Sequence, residues 1–174
     1  MNSLAPARIG EPASKLRLHM IPAISVMLAS ALPLMLPMVV SSAVIPPLGL
    51  LMFLAWRLLH PTLWPVWVGL PLGLWDDCLS GQPIGSAMGL WTIAMLAIDF
   101  VDQRTYWRGY WQDWLIAAIA ITIIQCAGAA LALPGASPVR LAMMVAFPTL
   151  VAILMFPVMV RLAARLDSIR LLRR

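Results

Sequence analysis

The hydrophobic positions of this chain fall into six runs, and the runs predict six helices at about 21–40, 44–59, 64–79, 84–101, 114–133 and 139–166. Short segments rich in proline, glycine, serine or charge separate them. The first run contains Pro22, Pro33 and Pro37, which predict a kinked helix, and Ser41 and Ser42 mark a tight turn after it. The second opens on Pro46 and Pro47, closes with Arg57 and His60 and stops at Pro61. About 16 residues rise only about 24 Å, so this helix must lie where a bilayer thins or be sheltered by its neighbours. Trp64 and Trp67 are placed to mark one membrane interface and Trp75 the other. Residues 102–112, with Arg104, Arg108, Tyr106, Trp107, Tyr110 and Trp111, read as an amphipathic connector. The fifth run is the least interrupted, with Gln125 and Cys126 near its middle, and the sixth passes Pro148 and Pro157 before a basic end.

Composition turns six helices into six membrane crossings. The chain of 174 residues is 62% hydrophobic and 11% charged, with a mean hydropathy of +0.91, against about half apolar and a quarter charged in ordinary globular domains. A crossing takes about 20 apolar residues, so the expected fold is a single all-α membrane domain over 21–166, with tails at 1–20 and 167–174. The net charge of +5 carries topological information. With six crossings, eleven of the twelve basic residues fall on one side and Arg140 alone on the other. The positive-inside rule then makes both termini cytoplasmic and turns Asp76 and Asp77 outward. That arrangement explains the basicity without nucleic acid. The apolar run after Arg8, Lys15 and Arg17 is too long, and too closely followed by others, for a cleavable signal. Cys78 and Cys126 lack metal or disulfide spacing and are expected to be buried thiols.

The densest candidate chemistry lies between Gly69 and Gly89. Adjacent side chains on a helix diverge by about 100°, so Asp76 and Asp77 do not form an acid–base pair on their own. No histidine lies near them in sequence, and no nucleophile elbow, metal-binding run or phosphate loop occurs. The chain is therefore expected to be no enzyme and to hold no metal or cofactor. The two aspartates are expected to cap and position the outer turn, with one of them paired to Arg140. Asp99, Asp102 and Asp113 are expected to be solvated helix ends. Gly69 and Gly73 form one G-x-x-x-G, and Gly81, Gly85 and Gly89 repeat the spacing, which predicts close helix packing or a groove for a partner helix. Ser80 and Pro83 make the intervening turn compact.

The stretch Gly73-Leu74-Trp75-Asp76-Asp77-Cys78-Leu79-Ser80-Gly81-Gln82-Pro83-Ile84-Gly85 resembles the central pattern of the MreD family of rod shape-determining membrane proteins, approximately G-L-L-x-D-L-L-S-G-x-P-L-G. Asp77 takes the aspartate position, and Arg57 with Pro61 resembles the basic residue and proline that precede this helix. The resemblance covers about residues 46–101; Asp76 and Cys78 depart from the pattern. It implies a non-enzymatic, multi-pass component of the bacterial inner membrane, in the cell-elongation complex that organises peptidoglycan synthesis. The implied partners are MreC, a single-pass periplasmic scaffold, then MreB, RodA and penicillin-binding protein 2, with membrane lipid around the helices. The implied partner and packing residues are Gly69, Gly73, Asp77, Ser80, Gly81, Pro83, Gly85 and Gly89. The family is similar in fold to the substrate-binding subunits of energy-coupling-factor transporters. An alternative function follows from that likeness: a vitamin-binding membrane subunit, with Trp75 and Asp77 beside the ligand.

Overall fold

The structure, a computed structural model, describes residues 15–35, 46–104 and 109–172. It consists of α1 (Lys15–Ala31) extended by a 3-10 turn (Leu32–Met35), α2 (Leu48–Leu59), a 3-10 turn (Val66–Val68) running into α3 (Gly69–Ser80), α4 (Ser86–Arg104), α5 (Tyr110–Ala132) and α6 (Pro138–Leu172). No strand occurs among the described residues. The predicted turn at Ser41 and Ser42, the end of the first predicted helix, the Tyr106–Trp107–Arg108 part of the connector, most of the N-terminal tail, Arg173 and Arg174 lie outside the described residues.

Each of the six predicted helices has its counterpart, but the ends differ in a systematic way. Helix α1 begins at Lys15, α4 continues to Arg104, α5 already starts at Tyr110, and α6 continues to Leu172. Apolar runs mark where a segment avoids water, whereas the backbone stays helical through Lys, Arg and Leu, which are good helix formers. The predicted tails at 1–20 and 167–174 thus each contribute residues to a helix. Helices α2 and α3 are shorter than predicted. Pro47 stands immediately before α2, and Pro65 leads into the 3-10 turn before α3.

Helix α2 lies at the centre of the bundle. Every side chain from Leu50 to Leu58 is buried, including Trp56 and Arg57. Helices α1 and α6 pack along it; α3 packs on α1 and α4, α4 on α5, and α5 on α6, which completes a surround. Its short length is therefore sheltered by neighbours, one of the two arrangements expected. Phe53 stacks on Trp91 at 4.8 Å and on Trp64 at 5.8 Å between ring centroids. Trp64 is consequently a core residue and not the interfacial marker expected, while Trp67 is exposed.

The outer faces are apolar: Leu28, Ile93, Phe100, Ile119, Ile123 and Leu154 are among the exposed large side chains. Two segments, Tyr110–Ala132 and Pro138–Ser168, are long and apolar enough to cross a membrane. Both thiols are on these outer faces as well. Cys78 and Cys126 are exposed, contrary to the expectation of burial, because their positions on α3 and α5 point away from the inter-helix contacts.

Candidate functional site

Helices α3 and α4 form the closest pair in the molecule, and the residues that join them are those of the central motif. Gly73 permits the contact. A Cβ there would lie 2.6 Å from the Met88 Cα and 2.7 Å from the Ala87 carbonyl oxygen, a backbone clash that no rotamer relieves. Gly69 faces Thr92 in the same interface, at 3.0 Å from its backbone. The second glycine series behaves differently. Gly81 ends α3 with φ +67° and Gly85 precedes α4 with φ +98°, both in the left-handed region that glycine enters without steric cost. A Cβ at Gly81, Gly85 or Gly89 would meet nothing within 4 Å. The expected packing stripe is therefore limited to Gly69 and Gly73; Gly81 and Gly85 serve the turn, and the Cβ position of Gly89 faces open space. Ser80 and Pro83 are exposed in that turn, where the Pro83 carbonyl accepts from the Ser86 amide at 3.0 Å.

Asp77 holds the two helices together. It is 2% exposed, and its oxygens accept from the backbone amides of Gly85 (2.8 Å), Ala87 (2.8 Å) and Met88 (3.2 Å) and from the Ser86 hydroxyl (3.0 Å). Those amides are the ones a helix N-terminus leaves without internal acceptors. A carboxylate from the preceding helix therefore does what an N-cap side chain ordinarily does, and the positive end of the α4 dipole favours its charge. Every contact donates to Asp77, the pattern an ionised carboxylate requires.

Asp76 points elsewhere. One of its oxygens accepts from the Ser30 hydroxyl at 2.7 Å, joining α3 to α1. Gly49 of α2 lies against this pair, and a Cβ there would collide with Ser30. The Trp75 indole donates to the Met27 carbonyl at 3.3 Å, a second link between α3 and α1. Neither aspartate pairs with Arg140, which is exposed in the first turn of α6. Donors a few ångströms away satisfy both carboxylates, and a long side chain would have to leave solvent to compete.

A second polar cluster occupies the opposite end of the bundle. Arg57, 2% exposed on α2, binds Asp99 at 2.9 Å and Asp102 at 3.1 Å on α4, and donates to the Pro61 carbonyl at 3.0 Å. His60 lies 3.0 Å from Asp167 of α6. Asp99 and Asp102 are thus ion-pair partners rather than the solvated helix ends expected, and Asp113 is half-buried beside a cavity lined by Leu58, Trp114 and Phe156. Sequence reasoning treated Arg57 as a topological marker and missed this cluster. A usable signal existed: an arginine embedded in Leu-Ala-Trp-Arg-Leu-Leu needs acceptors, and Asp99 and Asp102 stand one helical turn apart on a single face. Ser30, Gly49 and Ser86 carried no such signal.

Among the described residues, no three of His, Cys, Asp or Glu come together as metal ligands would. No protein-family model, curated protein or solved structure matches the chain.

Proposed function

We propose that this protein crosses the bacterial cytoplasmic membrane six times with both termini inside, and acts without catalysis as an MreD-like component of the cell-elongation complex. In this reading it assembles with MreC, and through it with MreB, RodA and penicillin-binding protein 2, to organise peptidoglycan synthesis. The observation that carries it is the different treatment of two adjacent aspartates. Asp77, in register with the family pattern, is buried and closes the α3–α4 pair with four hydrogen bonds, while Asp76, where the pattern is variable, makes one. A motif that specifies a rigid helix pair suits an assembly surface better than a reaction centre.

Membrane insertion is supported by exposure. In α5 and α6 only 22% of the most apolar stretch is buried, whereas a core helix of a soluble protein is mostly buried. The placement of Arg140 at the end opposite the Arg57 cluster agrees with the charge asymmetry of six crossings.

The test is depletion of the protein in its own cells, together with purification in mild detergent. Loss of rod shape and co-purification of a single-pass coiled-coil protein are the expected results; rods of unchanged width after depletion overturn the reading. The alternative of a vitamin-binding transporter subunit draws on the cavity beside Asp76, about 380 Å³. That alternative requires a small molecule released on denaturing the purified protein, and its absence removes it.

A further inference from the structure

Helices α4 and α5 enclose a groove of about 250 Å³ on the outer side of the bundle, and every residue that lines it is Leu, Ile, Val or Ala. Ala94, Ala97 and Ala120 give it depth, because short side chains leave space between the exposed Ile93 and Ile123. On α4 it runs from Leu90 to Val101, about 16 Å of helix, or about half of a hydrocarbon core about 30 Å thick. It therefore matches one leaflet and not a whole crossing. Its Val101 end lies at the Arg57 end of the bundle, where Asp99 and Asp102 of the same helix meet that arginine. Polar groups begin where the groove stops. Arg104 continues the face of the lining residues, one turn beyond Val101 and two beyond Ala97. Its guanidinium leans back over the exposed Phe100, 4.4 Å from the ring centroid, and forms no ion pair among the described residues. Gln112 stands one turn before Ile116 on α5; its oxygen accepts from the Gly109 amide at 3.0 Å, which leaves its NH2 group to donate. Arg104 and Gln112 are both exposed. The carboxylates of this end are engaged elsewhere: Asp99 and Asp102 bind Arg57, Asp113 lines the separate cavity beside Leu58, and Asp167 meets His60. Tyr110 and Trp111 are exposed at the start of α5, the placement aromatic side chains take at headgroup level.

A cation and an amide donor at the mouth of an apolar groove of leaflet length complement a molecule with a negative head and a long apolar tail. We propose that the α4–α5 groove holds one acyl chain of an anionic phospholipid of the cytoplasmic leaflet, with Arg104 and Gln112 donating to its headgroup. A partner's transmembrane helix fits less well, since it needs a seam along the whole crossing. The assignment rests on the membrane-spanning, termini-inside part of the reading above and on no partner protein.

The test is native mass spectrometry of the whole protein in mild detergent, with phosphatidylglycerol or phosphatidylcholine of the same acyl chains added at equal concentration. Both carry a phosphate, but phosphatidylcholine offsets it with its own ammonium. Preference for phosphatidylglycerol by about fivefold is expected, the worth of one basic side chain facing an anionic headgroup. Arg104→Gln is expected to abolish the preference and Arg104→Lys to keep most of it; Arg140→Gln, at the other end, leaves it unchanged. Ala97→Phe fills the groove without touching the charge and is expected to cut retention of both lipids. Equal retention of the two lipids by the unaltered protein overturns the proposal. So does a preference that survives Arg104→Gln, or retention untouched by Ala97→Phe, in a variant with the wild-type melting temperature. A photo-crosslinker in place of Ile123 in intact membranes is expected to label lipid; capture of a protein there gives the groove to a partner helix and also overturns the proposal. Extraction of the protein by alkaline carbonate refutes the membrane reading itself, whereas equal retention of the lipids by a protein that resists extraction refutes the lipid site alone.

Discussion

Asp76 and Asp77 are chemically identical neighbours with unequal roles, and the difference comes from where a helix aims consecutive side chains. Asp77 faces the four donors at the start of α4, whereas Asp76 faces Ser30 on α1. Removing Asp77 orphans three backbone amides at the start of α4, that of Ala87 in a buried position. Asp77→Ala is therefore expected to cost about 3 kcal/mol and Asp76→Ala about 1 kcal/mol, read from thermal unfolding in detergent. Equal losses from the two variants contradict the assigned roles. The importance of an aspartate at this turn was legible in the sequence, but its partners were not. Backbone amides belong to every residue and leave no mark in sequence, so the expected partner was the one conspicuous cation on that side, Arg140, which in fact remains exposed.

At the scale of elements, the α3–α4 pair separates two uses of glycine that an identical spacing had merged. Gly73 is a contact residue and Gly89 is not. Gly73→Ala forces the helices apart and is expected to cost about 2 kcal/mol or more, while Gly89→Ala is expected to be neutral or to stabilise by up to about 1 kcal/mol through helix propensity. Unfolding midpoints of the two variants, measured side by side, decide the matter; a destabilised Gly89→Ala contradicts the open space seen around that position. Helix α2 shows the complementary limit. Its existence was readable from its apolar run, but nothing local said that it would lie in the centre, because enclosure by α1, α5 and α6 depends on those helices' own packing.

For the whole molecule, polar ties at both ends clamp an apolar middle. Asp77 and Asp76 join α4, α3 and α1 at one end; Arg57 and His60 join α2 to α4 and α6 at the other. Breaking a buried ion pair strands its partner, so Arg57→Ala is expected to cost about 3–5 kcal/mol. Asp99, whose side chain is 45% exposed, is expected to contribute much less, since solvent screens it. Comparing Arg57→Ala with Asp99→Ala and Asp102→Ala by thermal unfolding tests this order; equal effects of the arginine and Asp99 are incompatible with it.

Sequence alone determined the number of helices, their approximate places, their unusual apolarity and the turn between Asp77 and Gly85. These follow from local properties: run length, proline and glycine positions, and the low charge content. Tertiary structure decided which polar groups meet, which glycines touch a neighbour, that Trp64 is core while both thiols are exposed, and that a cavity remains beside Asp76. Such outcomes join residues far apart in the chain, Ser30 with Asp76, Arg57 with Asp99, His60 with Asp167. Each was chosen by the packing of apolar helices, whose attraction is non-directional and leaves the choice of polar partners to the final geometry.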